Sequence, residues 1–208
     1  METMENLEAV IGAARETLET KYRAREVALA HGRALTRTCA NAIRAMHRGE
    51  LSGARDQVEH ARVEAGSVAE ALAAHPDLLH AGYVQDAHKE LAEAACLLAL
   101  IERTPLPRPE AIGIEPAAYL NGLAEAASEG RRFALDRLRA GEHDRAAQML
   151  GDMDEILSQL ATIDYPDAVT SGLRRTCDAL RAVVERTRGD VTLTTVQERL
   201  LRALTAQE

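Results

Sequence analysis

The stretch His88-Lys89-Glu90-Leu91-Ala92-Glu93-Ala94-Ala95-Cys96-Leu97-Leu98-Ala99-Leu100-Ile101 decides the fold class. Apolar side chains recur in it at helical spacing and then close into a continuous run. Nowhere does it alternate with the period of two that a half-buried strand requires. At 11 residues, the apolar segment Leu91 to Ile101 is interrupted by Glu93 and is too short to span a bilayer, so it reads as a buried core helix. The same periodicity extends through almost the whole chain. An all-α fold of about seven helices, organised as a single domain over residues 1–208, is the expectation.

Composition supports this reading. Hydrophobic residues make up 46% of the 208, enough for a core without staples, yet aromatics are only 2%, with no Trp and one Phe. Leu, Ala, Ile and Val must fill the interior, and that palette suits closely packed helices better than a sheet. Cys39, Cys96 and Cys177 are odd in number and far apart, which fits neither a disulfide framework nor a Cys-x-x-Cys metal site. The segment Met1 to Glu8 is acidic where a signal peptide would be basic and then apolar. A reducing, cytoplasmic setting with no membrane contact is expected.

Breakers divide the chain. A first helix is expected from about Met4 to His47, with Gly49 as its cap glycine. A second, capped by Ser52, should run to about Ala74, and a third from Pro76 to Arg103. After the cluster Thr104-Pro105-Leu106-Pro107-Arg108-Pro109 come helices from about Glu115 to Ala140, Glu142 to Ile163, Asp167 to Arg188 and Thr192 to Leu204. The last two are separated by a turn at Arg188-Gly189-Asp190.

Two pairs of carboxylates have spacings that carry chemistry. Glu90 and Glu93 lie at i and i+3 on the third helix, and Glu125 and Glu129 at i and i+4 on the fourth. Such pairs commonly form no more than a solvated face. If the two helices pack side by side, however, four carboxylates converge, and clustered like charges call for a hard divalent cation. Oxygen-only ligands favour Mg²⁺, Mn²⁺ or Ca²⁺ over zinc.

The net charge of -8 opposes unselective binding to a phosphate backbone, so any nucleic-acid site must be a local basic patch. Arg33, Arg37 and Arg44 recur on roughly one face of the first helix and offer such a patch, unless they are solvated or paired with glutamates. His88 reads as a structural histidine rather than a proton shuttle. No Glu-x-x-His pair occurs, which argues against a di-iron bundle, and no Walker A loop, nucleophile elbow or zinc spacing is present.

The run Tyr119-Leu120-Asn121-Gly122-Leu123-Ala124-Glu125, followed by Glu129-Gly130-Arg131-Arg132, resembles a motif of the Trax branch of the translin family. Lys89-Glu90-Leu91-Ala92-Glu93-Ala94 resembles a second. Met46-His47-Arg48-Gly49, Gly172-Leu173-Arg174-Arg175 and Arg188-Gly189-Asp190 extend the similarity along the chain in order. The resemblance implies a translin-like helical bundle of archaeal type. Its activity would be that of a metal-dependent endoribonuclease acting on single-stranded RNA, with translin-like RNA or DNA binding without cleavage as the alternative.

By position, Glu90, Glu93 and Glu125 become the catalytic residues, and with Glu129 the ligands of Mg²⁺ or Mn²⁺. Arg33, Arg37, Arg44, Lys89, Arg131 and Arg132 become RNA contacts. A closed homo-oligomer, an octamer, is the implied assembly. The departure from the family pattern is Glu125, which stands where the family has an aspartate and is one methylene longer; a displacement of about an ångström at a metal can cost roughly a hundredfold in rate.

Overall fold

The computed structural model describes residue 4 and residues 6–205. Part of the acidic segment Met1 to Glu8, and the last three residues, therefore lie outside the described residues. Among those described there is no strand. The helices are α1 (Leu7–His47), α2 (Leu51–Ala71), α3 (Pro76–Leu79), α4 (Gly82–Glu102), α5 (Pro109–Ile112), α6 (Pro116–Arg139), α7 (His143–Leu160), α8 (Asp167–Thr170) and α9 (Leu173–Thr205). No helix is long and apolar enough to cross a membrane.

Six of these helices are long, and α4 and α6 form the centre of the packing. α4 lies against α6, α1 and α2, while α6 lies against α4, α7 and α9. Every residue from Ala94 to Ile101 is buried, which explains the apolar run: a helix walled in on all sides must be apolar all round. The main core continues through Leu35, Ala61, Leu91, Leu97, Met149, Met153, Leu180 and Val184. A smaller cluster of Ala28, Val68, Leu72, Leu78 and Val84 closes one end of the α1–α2–α4 unit. All three cysteines are free and buried.

The seven expected helices differ from this architecture in four places, one being the expected helix from Asp167 to Arg188, which is broken at Ser171 and Gly172, both at positive φ, into the single turn α8 and the start of α9. The expected third helix is broken at His80 and Ala81 into the single turn α3 and the long α4, with Leu78 buried and Gln85 Nε2 donating to the Leu79 carbonyl at 2.9 Å. Helix α2 begins at Leu51 with no side-chain cap, so Ser52 is inside the helix, and it ends at Ala71, three residues early.

The expected turn at Arg188-Gly189-Asp190 does not form, and α9 runs straight through it. Val184, Thr187 and Val191 are buried on one stripe across the glycine, and Arg131 from α6 pairs with Asp190 at 2.8 Å. Tertiary burial here outweighs a helix-propensity cost of about 1 kcal/mol for one glycine. Gly49, by contrast, does adopt the left-handed conformation after α1, at φ 79°, as a C-terminal cap glycine does.

Two helical ends carry apolar side chains with no cover. Leu7, Val10, Ile11, Leu18 and Tyr22 are exposed on the first half of α1, and Leu193, Val196, Leu200, Leu201 and Leu204 on the last third of α9.

Candidate functional site

The site begins with a glycine. At Gly122 of α6, an added Cβ would lie 2.4 Å from the Lys89 carbonyl oxygen, 2.5 Å from the Ala92 Cβ and 2.9 Å from the Glu93 nitrogen. Only a residue without a side chain lets α4 and α6 approach so closely at this level. Three residues on from that contact, Glu125 is carried to the carboxylates of α4. One oxygen each of Glu90, Glu93 and Glu125 lie within 4.8 Å of one another, and all three residues are half-buried. The longer Glu125 thus brings an oxygen beside those of Glu90 and Glu93.

Electrostatics follow from crowding and burial. Burial, followed by the charges of Glu90, Glu125 and Glu129, pushes the Glu93 carboxyl up to about 8. Glu90 is also raised, chiefly by burial; Lys89 opposes the shift, and Glu125 and Asp86 add to it. Lys89 Nζ donates to Glu125 Oε1 at 2.8 Å. Burial works against the Lys89 ammonium, but that bond and the charges of Glu125, Glu90 and Asp86 outweigh it, so its pKa is raised.

Three convergent carboxylates, one of them pushed up to about 8 by burial and then by its neighbours, are a donor set that fits a hard divalent cation. Glu90, Glu93 and Glu125 are the residues able to hold it.

Glu129 is not part of this group. Its Oε2 is engaged by His47 Nε2 of α1 at 2.8 Å, and that contact, against the effect of burial, lowers the Glu129 carboxyl. His47 is almost fully enclosed, its side chain 3% exposed. Sequence reasoning placed His47 at a helix end and nowhere in the site.

Arg33, Arg37, Arg44 and His47 nonetheless fall within roughly 80° of arc at about 100° per residue. The two ends of this stripe touch the acidic line: Arg33 shares a cleft with Glu90, and His47 holds Glu129. Between them, Arg37 and Arg44 lie exposed on α1, and of the three arginines Arg33 alone lines the cleft with Glu90. The cleft between α1 and α4 encloses about 430 Å³ and is also lined by Leu29, Thr36, Tyr83 and Asp86. Asp86, missed in the sequence, sits one turn before Glu90, and that i−4 spacing was the available signal.

The other expected RNA contacts are placed unevenly. Arg37 and Arg132 are exposed. Arg44 is exposed too, with Asn41 accepting a hydrogen bond from it. Arg131 is committed to Asp190 and to the Thr187 hydroxyl, so it braces α6 against α9. His88 is buried, neither ring nitrogen has a hydrogen-bond partner among the described residues, and burial lowers its pKa.

No family model matches the chain. An uncharacterized protein of Methanocaldococcus jannaschii is 27% identical over 186 residues, covering 89% of this chain and 82% of that protein. Among solved structures, AfC3PO superposes with a TM-score of 0.83 at 29% identity, covering 90% of this chain and 97% of its own. AfC3PO in its complex with duplex RNA gives 0.79 at the same identity and coverage. Apo-NeC3PO gives 0.78 at 18% identity over 89% of this chain and 96% of its own, a likeness of fold alone. The structural neighbours of the chain are therefore translin/C3PO-family proteins, and its fold is the helical translin/C3PO fold.

Proposed function

We propose that the chain is a Trax-like subunit of archaeal type that cuts RNA in the cytoplasm by metal-dependent phosphodiester hydrolysis. The observation that carries this is the convergence of Glu90, Glu93 and Glu125, with Arg33 lining the cleft beside Glu90. Mg²⁺ or Mn²⁺ held there would activate water and neutralise charge on the phosphate under attack. Glu90 and Glu93 from α4 and Glu125 from α6 orient toward one point, and Gly122 fixes the spacing between the two helices. Arg33, which lines the cleft with Glu90, and Arg37, one turn further along α1, would bind phosphates of the strand next to the one attacked. Glu129 positions His47 and adds negative potential at Glu93. Lys89, Arg44 and Arg132 complete the proposed phosphate contacts, while Arg131, paired with Asp190 and bonded to Thr187, is the least available of them.

Single-stranded RNA is the proposed substrate. A second reading is binding without cleavage, and the AfC3PO complex makes duplex RNA the relevant ligand for it. End-labelled single strands and duplexes of one sequence, incubated with Mg²⁺ or with EDTA, separate the readings. Cleavage of the single strand that stops in EDTA supports the nuclease; stable binding of either RNA with no cleavage supports the scaffold.

The assembly we propose is a closed homo-oligomer, an octamer, with the acidic sites facing inward. Its support is the two uncovered apolar ends of α1 and α9, which a monomer would leave in water. Light scattering after size exclusion decides it, and a monomer at micromolar concentration would end the chamber model.

A further inference from the structure

Lys89 occupies the acidic group rather than its rim. Its ammonium donates to Glu125 Oε1 at 2.8 Å, with Lys89 26% and Glu125 32% exposed. Its charge also offsets both Glu90 and Glu93. Of the other basic side chains nearby, His47 is engaged on Glu129 and Arg131 on Asp190, while Arg33 lines the cleft beside Glu90 without an ion pair to it among the described residues. Among the described residues, the only positive charge paired directly with any of the three carboxylates is this lysine, on a flexible four-carbon stem.

We propose that Lys89 is a stand-in cation, which holds Glu125 in the metal-free protein and surrenders it to a divalent ion as its ammonium moves to an RNA phosphate, so that metal and RNA load cooperatively. This rests on the reading of Glu90, Glu93 and Glu125 as a metal site. The reason is charge: an ammonium and a divalent cation sharing one carboxylate repel each other, so each weakens the other's hold on Glu125. An RNA phosphate drawing Lys89 away removes that competition and tightens metal binding. By linkage, metal must then tighten RNA binding by the same factor. A purely structural ion pair would behave differently, because its loss would loosen the site and weaken metal binding.

The test is Mn²⁺ binding, followed by the electron paramagnetic resonance signal of the free ion, on the full chain with and without an uncleavable 2′-O-methyl single strand. For the native chain, RNA should tighten Mn²⁺ binding roughly five- to tenfold. Lys89→Met should bind Mn²⁺ tighter by a similar factor without RNA and gain little from adding it. Lys89→Gln, which keeps a hydrogen-bond donor but discards the charge, should behave like Lys89→Met and covers the case in which the apolar variant folds poorly. Mn²⁺ binding by both variants no tighter than by the native chain, or the same RNA effect in all three proteins, would overturn the stand-in role and leave the metal site standing. Absence of Mn²⁺ binding in every protein would overturn both.

Discussion

At Glu93, burial and three neighbouring carboxylates favour the acid form up to about pH 8, against an ordinary value of 4.5. Between those values the folded chain holds a proton that the unfolded chain has lost. Stability in EDTA should therefore fall as pH rises through that window and level off above it. Glu93→Gln removes the slope that this residue contributes. It should melt higher than the native chain at pH 9 in EDTA, lose that advantage at pH 5, and no longer be stabilised by Mg²⁺. Parallel melting curves across pH for the two proteins would show that Glu93 is not the strained carboxylate. Glu90, Glu93 and Glu125 were legible in the sequence because their spacing is local and their motifs resemble known ones. The His47–Glu129 contact spans 82 residues and was not, since no local pattern announces which helix a side chain will meet.

Among the elements, two helical glycines should respond oppositely to the same substitution. Gly122→Ala puts a methyl group against the Lys89 carbonyl and the Glu93 nitrogen, which are backbone atoms of α4 and cannot swing aside. It should cost about 1–3 kcal/mol and reduce cleavage further than the loss of stability explains, by parting the two halves of the acidic site. Gly189 has open space around it and ordinary helical φ, so Gly189→Ala should raise stability by up to about 1 kcal/mol with activity unchanged. A destabilised Gly189→Ala in thermal melts would restore the turn that the sequence suggested. That turn was misread because Arg-Gly-Asp carries a local breaker signal, whereas the burial of Val184 and Val191 on one stripe is a tertiary fact. Helix α4 was the most legible element, since a run as apolar as Leu97 to Ile101 has nowhere to go but the core.

For the whole molecule, the puzzle is how a chain of net charge -8 would bind the RNA proposed for it. Arg33 in the cleft with Glu90, with Arg37 and Arg44 on roughly the same face of α1, offers an answer: the positive potential would be local, while the bulk field repels RNA elsewhere. Arg33→Ala with Arg37→Ala should weaken single-strand binding and flatten the plot of log affinity against log salt by about 1.4, the counterions of two phosphates. An unchanged slope in fluorescence anisotropy would take α1 out of the RNA path. The helical class of the molecule was readable from periodicity alone, but the bracing of its halves by Arg131, Asp190 and Thr187 was not, because arginines of that kind read equally well as phosphate ligands.

The central claim, that Glu90, Glu93 and Glu125 together hold the ion that cuts RNA, is tested most directly by one comparison. Single-turnover cleavage of a labelled single-stranded RNA in Mg²⁺ is measured for the native chain and for the variant carrying Glu90→Gln, Glu93→Gln and Glu125→Gln, with RNA binding measured in the same samples. The predicted result is RNA bound by both and cleavage lost by well over tenfold in the variant. Equal cleavage by the two proteins would contradict it.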